Sequence, residues 1–166
     1  MVKKTYAIGS VLVVLLGIFA LLYFSPGEER KVKKQFNLLS KWLSKEPGES
    51  ALTMAHHLQK IGTLFAETCG LKAPGYSMTG RYTPEEISGY AARARAQFSK
   101  LSLEFVDLNI RFPEKDLARV NLTVKVTGTT TLGEYMNEVH ELECHLKKTE
   151  KRWYFSDVEV VEVLKK

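Results

Sequence analysis

The run LSLEFVDLNIRFPEKDLARVNLTVKV, residues 101–126, decides the fold class. Leu101, Leu103 and Phe105 alternate with polar residues, the two-residue period of a strand buried on one face. At Val106 the parity switches, and Val106, Leu108, Ile110 and Phe112 hold the apolar positions. Such a slip predicts a bulge or strong bend inside one long strand. Pro113 to Asp116 read as a turn. Ala118, Val120, Leu122, Val124 and Val126 then alternate with Arg119, Asn121, Thr123 and Lys125 on the opposite face, a second strand of the same kind.

Downstream, Gly128 to Gly133 read as a flexible connection. Leu142, Cys144 and Leu146 mark a third strand and Thr149 to Lys151 a turn. Trp153, Phe155, Val158, Val160 and Val163 mark a fourth strand. Upstream the period becomes that of a helix. Thr83 is an N-cap, Pro84 takes the first helical position and Glu86 completes a capping box. Ile87, Tyr90, Ala91, Ala94 and Phe98 form the apolar stripe of that helix. Thr68 to Tyr82 is rich in Gly, Pro, Ser and Thr, and the Pro74-Gly75 turn signal is compatible with a small hairpin. A further helix is expected after the cap Ser50, with Leu52, Ala55, Leu58, Ile61, Gly62 and Phe65 on its buried face. Glu28 to Lys45 form the first helix of this part, striped by Val32, Phe36, Leu39 and Leu43 with Trp42 beside them. Three helices followed by a four-stranded or larger meander predict an α+β fold, with helices gathered on one face of a bent antiparallel sheet.

The 166-residue chain allows one domain of this kind and an appendage. The appendage is read at the start. Residues 1–5 are short and basic. Tyr6 to Phe24 carries no charge, and as a helix would span roughly 28 Å, the thickness of a bilayer core. No small-x-small cleavage site lies near its end and no Cys follows it, so the run is expected to be a retained anchor, neither a cleaved signal nor a lipoprotein attachment. Ser25 to Gly27 form a linker, and the domain occupies 28–166. All 19 acids and 22 of the 24 Lys and Arg lie after Gly27, leaving that part only slightly basic. The short basic start is expected inside the cytoplasm, giving a single-pass inner-membrane protein with its C-terminal domain outside.

The capped Thr83-Pro84-Glu85-Glu86-Ile87 start, and the closing run Leu146-Lys147-Lys148 to Arg152-Trp153-Tyr154-Phe155-Ser156-Asp157-Val158, resemble the nuclear transport factor 2-like (cystatin-like) superfamily. The resemblance extends over roughly Glu28 to Leu164. It implies a cone-shaped domain with Trp153 packed beneath the curved sheet. That superfamily includes isomerases, dehydratases, transport adaptors and secretion scaffolds, so the fold does not select among activities. The layout is also similar to inner-membrane assembly proteins of type IV secretion systems, although only five residues precede Tyr6 here.

Candidate chemistry is sparse. An isomerase-like site would need a carboxylate base inside the cone and a hydroxyl facing the developing oxyanion. Asp107, with Tyr90 and Tyr82 as donors, is the candidate set, and the alternative is that Asp107 shares a solvated face with Asn109 and Arg111. His140 and His145 fall on opposite strand faces unless a bulge intervenes, and His56 and His57 diverge on their helix. No metal site is therefore expected, and no cofactor. Cys69 and Cys144 could be bridged outside the cytoplasm, or remain buried thiols. The basic cluster Arg30, Lys31, Lys33 and Lys34 lies beside the expected anchor, where lipid headgroups are a better partner than nucleic acid; the alternative is that it is the solvated face of the first helix. The expected function is a membrane-tethered binding or scaffolding module with a protein partner or a second copy of itself. The alternative is small-molecule binding, or isomerase or dehydratase chemistry, in the cone. An enzyme requires titratable groups converging in the cavity; a scaffold is compatible with an apolar or filled one.

Overall fold

The computed structural model describes residues 27–163, with side chains through Val161. The expected anchor over 6–24, the basic segment 1–5 and most of the expected linker lie outside the described residues. Among those described, no helix is long and apolar enough to cross a membrane. The chain divides into two compact units, Met1–Lys31 and Val32–Lys166, and the second contains the sheet and its core.

Residues 27–43 are helical (α1). In the second unit this helix buries Val32, Phe36 and Leu39, the stripe its four-three spacing dictates. Helix α2, Ala51–Gly62, starts at Ser50, whose hydroxyl accepts from the Thr53 amide at 3.1 Å. Strands β1 (Phe65–Ala73) and β2 (Met78–Tyr82) form a hairpin around the turn Pro74–Tyr76. Helix α3, Pro84–Ala96, has both halves of the expected capping box, the Thr83 hydroxyl on the Glu86 amide and the Glu86 carboxylate on the Thr83 amide. Strands β3 (Phe98–Glu114), β4 (Leu117–Thr130), β5 (Tyr135–Thr149) and β6 (Arg152–Val163) form the meander.

The sheet order is β2-β1-β6-β5-β4-β3, and β1 runs parallel to β6. The four expected meander strands are thus extended to six by the hairpin around Pro74-Gly75. The early hairpin joins the meander through a pairing between chain segments some ninety residues apart, which no local pattern announces. The same pairing corrects the end of α2. Phe65 belongs to the expected helical stripe, yet the helix stops at Gly62 and Phe65 opens β1. The Leu64 carbonyl accepts from the Phe155 amide at 2.9 Å, so the sheet captures the chain where helical spacing would have carried it on. The 128–133 connection is also shorter than expected, since β4 continues to Thr130 and β5 begins at Tyr135.

The parity switch in β3 is a bulge. Its register against β4 shifts between Val106 and Asn109, and Asp107 there has φ 56°. The core lies where the three helices meet the inner face of the bent sheet: Phe36, Ile61, Ile87, Ala91, Val120, Leu146, Trp153 and Phe155 are all buried in it. Phe36 packs edge-on against Phe105 at 5.5 Å and Phe155 at 5.0 Å, and Trp153 sits 5.7 Å from Phe112.

Candidate functional site

Between the helices and the inner face of the sheet is a cavity of about 490 Å³. Leu39 and Leu43 of α1, Phe65 and Leu71 of β1, Leu103 and Phe105 of β3, Val124 and Val126 of β4, Leu142 and Cys144 of β5, and Phe155 and Val158 of β6 wall it. Helix α3 closes one side with Ile87, Tyr90, Ala91, Arg93 and Ala94, together with its C-cap Gln97. Strand alternation explains the apolar wall, because every second residue of β4 and β5 turns inward. Among the described residues no carboxylate and no histidine lines the space.

A polar cluster borders it. Glu138 and His140 face Val126 and Val124 across the β4–β5 ladder, so they share the wall's face of the sheet. The Tyr76 hydroxyl donates to Glu138 Oε2 at 2.9 Å, and His140 Nε2 lies 2.9 Å from the same oxygen. That oxygen can accept from the ring only if Nε2 carries a proton, and His140 Nδ1 is enclosed with no hydrogen-bond partner among the described residues. The bonds from His140 and Tyr76 hold the Glu138 carboxyl below the usual carboxylate range. Desolvation of the phenol tip and the bond to Glu138 push Tyr76 up to about 12. The cluster ties the β1–β2 turn to β5 across the end of β6. Nothing in the residue spacing signals it, since Tyr76 and Glu138 are 62 positions apart.

A second polar group is fully internal. Arg95 is completely buried and donates to the carbonyls of Trp42 and Ser44 and to the Glu49 carboxylate. The other Glu49 oxygen lies 3.0 Å from His57 Nδ1. This network fastens the end of α1 and the start of α2 to α3.

No family model and no curated protein sequence matches the chain. Solved structures do resemble it. The Kfla4162 protein from Kribbella flavida superposes with a TM-score of 0.70 at 8% identity, over 82% of this chain and 90% of its own. Aln2 from a Streptomyces species gives 0.64 at 12%, over 82% and 90%. A hexachlorocyclohexane dehydrochlorinase (LinA) type 2 gives 0.64 at 10%, over 80% and 83%. The domain has the nuclear transport factor 2-like cone fold.

Within that cone the sequence-derived candidates separate. Asp107 is exposed at the bulge and lines a shallow depression of about 200 Å³ with Asn109, Asn121, Thr123 and Glu141. The parity of Asn121 and Thr123, opposite to that of buried Val120 and Val124, puts this depression on the outer face of the sheet. Tyr90 lines the cone cavity, whereas Tyr82 packs edge-on against it at 5.4 Å. Asp107 and the two tyrosines thus stand on opposite faces of the sheet. Cys69 and Cys144 are buried free thiols. With β6 between their strands they lie about two strand spacings apart, roughly 9–10 Å, beyond the ~7 Å that a bridge tolerates. Burial pushes Cys69 up to about 12 and raises Cys144 too. His140 is buried and His145 half-exposed on the other face, beside Glu143 at 3.0 Å, as their odd spacing requires. Among the described residues no group of His, Cys, Asp or Glu could hold a metal ion. Lys33 and Lys34 are exposed on α1, and Arg30 and Lys31 are exposed in the first unit.

Proposed function

We propose that the chain is a membrane-tethered small-molecule-binding module whose site is the cone cavity and whose ligand is largely apolar. The observation carrying this reading is the cavity: about 490 Å³, within the ~300–1,000 Å³ usual for small-molecule sites. Its walls are mostly apolar side chains, and an apolar ligand gains about 25 cal/mol for each Å² it removes from water. A hexachlorocyclohexane dehydrochlorinase carries the same cone, which supports a small-molecule role over pure scaffolding. A scaffold would work through its outer surface and leave an open, apolar interior unused. In this reading the uncharged run Tyr6–Phe24 supplies the tether, and the domain works outside the inner membrane, where amphipathic and apolar compounds are concentrated.

The test is methyl NMR of the full chain in nanodiscs of zwitterionic lipid, titrated with 1-decanol and corrected for uptake by empty nanodiscs. Methyls of Leu39, Val124 and Val158 should shift saturably, and those of exposed Val161 should not. Ala91→Leu, which places a larger side chain in the cavity, should weaken the response. Equal, non-saturating shifts at all positions would defeat the proposal.

A further inference from the structure

The polar equipment of the cavity is confined to one edge of one helix. Tyr90 and Arg93 on α3, and Gln97 that caps its C-terminal end, recur at three- and four-residue intervals, and Arg93 is the one charged side chain lining the space among the described residues. Its place is fixed twice. The Nε donates to the Gly89 carbonyl at 3.3 Å, and the guanidinium carbon lies 4.7 Å from the centroid of the Tyr90 ring. Tyr90 is itself braced edge-on by Tyr82.

An exposed helical arginine can pair with an acid three or four positions away. For Arg93 those positions are Gly89, Tyr90, Ala96 and Gln97. Its contacts among the described residues are the Gly89 carbonyl and the Tyr90 ring, neither of them a carboxylate. The two terminal nitrogens therefore present an unmatched donor fork at the mouth of an apolar chamber. A planar fork held in place loses little entropy when it meets an oxyanion, and it can bind two oxygens at once.

We infer that the ligand of the cone is an amphipathic anion, with its alkyl tail inside and a carboxylate or phosphate head on the Nη atoms of Arg93 beside Gln97. This rests on the cavity being a ligand site. The same chemistry is offered by a free alkyl carboxylate and by an anionic phospholipid, and the experiment separates the two.

Full chain in zwitterionic nanodiscs is titrated with decanoate, 1-decanol and decyltrimethylammonium, three probes that share a tail. Decanoate should bind tightest, about tenfold tighter than decanol, as expected for one partly exposed charge-assisted contact. Arg93→Gln should reduce decanoate to the decanol level and leave decanol unchanged. Lys125→Gln removes an equal charge from the outer face and should alter neither. An unchanged decanoate-to-decanol ratio in Arg93→Gln, or an equal loss in Lys125→Gln, would overturn the head-group assignment while leaving the cavity as a ligand site. Failure of all three probes to move the cavity methyls would remove both readings. In a further arm, nanodiscs containing phosphatidylglycerol without probe either reproduce the Arg93-dependent shifts, making the membrane the source, or leave the cavity methyls in place, making the source a free alkyl anion.

Discussion

Arg95 shows how one residue can contradict its neighbourhood and still be required by it. Ile87, Ala91 and Arg95 are spaced by four, so the sequence puts an arginine on the buried stripe of α3, and all three are buried. The guanidinium is held there because two carbonyls and Glu49 engage its terminal nitrogens, while Nε is buried without a hydrogen-bond partner among the described residues. Removing it leaves Glu49 buried with only His57 beside it, so Arg95→Met is expected to destabilise the domain by about 3–5 kcal/mol in chemical denaturation. The double variant Arg95→Met with Glu49→Leu should recover part of that loss, because the stranded charge goes too. Glu138 gives the pH dependence. Its carboxyl is lowered in the folded state by the bonds from His140 and Tyr76. The stability it adds is present above the unfolded value near 4.5 and is lost as pH falls through the lower folded value. Thermal midpoints should therefore fall less steeply in Glu138→Gln than in the parent as pH drops from about 4.5 toward the lower folded value. Some acid slope will persist from Glu143, which His145 lowers in the same way. The thiols titrate in the opposite direction. With Cys69 near 12 and Cys144 raised as well, neither supplies thiolate at about pH 8, and iodoacetamide should modify them only after denaturation.

At the scale of elements, legibility followed the range of the cause. The α3 start was readable because a capping box is local chemistry over four residues, and the β3 bulge because it displaces the apolar parity within one strand. The inward and outward facing of His140 and His145 came from parity alone. The parallel β1–β6 pairing was not readable, because Phe65 and Phe155 make no pattern until the chain has folded. Without that pairing, the correct end of α2 was not readable either. Much of the cavity's wall was legible from strand parity and the α3 stripe, but Leu71, Met78, Arg93 and Gln97 were not singled out, and its openness was not readable, since volume depends on how far α3 stands from the sheet. The brace of Tyr76, Glu138 and His140 likewise needs the β1–β2 turn to cross the end of β6 before its members meet. A close approach of strands yields the test at this scale. Gly128 pairs with Leu101, and a Cβ there would sit 2.8 Å from the Lys100 carbonyl and 2.9 Å from the Phe98 ring. The ring can move but the backbone oxygen cannot easily do so. Gly128→Ala should therefore cost about 1–3 kcal/mol by denaturant titration, through separation of β3 from β4.

At the scale of the whole molecule, the question is whether the domain depends on what precedes it. The buried core residues lie in the unit that starts at Val32, and that unit supplies both the cavity and the Arg95 network. Its sheet is continuous from β2 to β3, so no part of the core is isolated from the rest. A domain of this size with one core unfolds in a single cooperative step. A shortened chain beginning at Glu28 should therefore fold alone, with coincident transitions by far-ultraviolet circular dichroism and tryptophan fluorescence. Trp153 reports on the centre of that core, being 1% exposed and packed on Phe112. Trp153→Ala should lower stability by about 3–5 kcal/mol. If the cone binds an amphipathic ligand, the shortened chain should retain its decanoate affinity while losing its association with membranes. The anchor on this account alters where the ligand is met and how concentrated it is there, not how the cavity holds it. Two non-coincident transitions in the shortened chain, or a loss of decanoate binding with the fold intact, would mean that residues before Glu28 complete the domain.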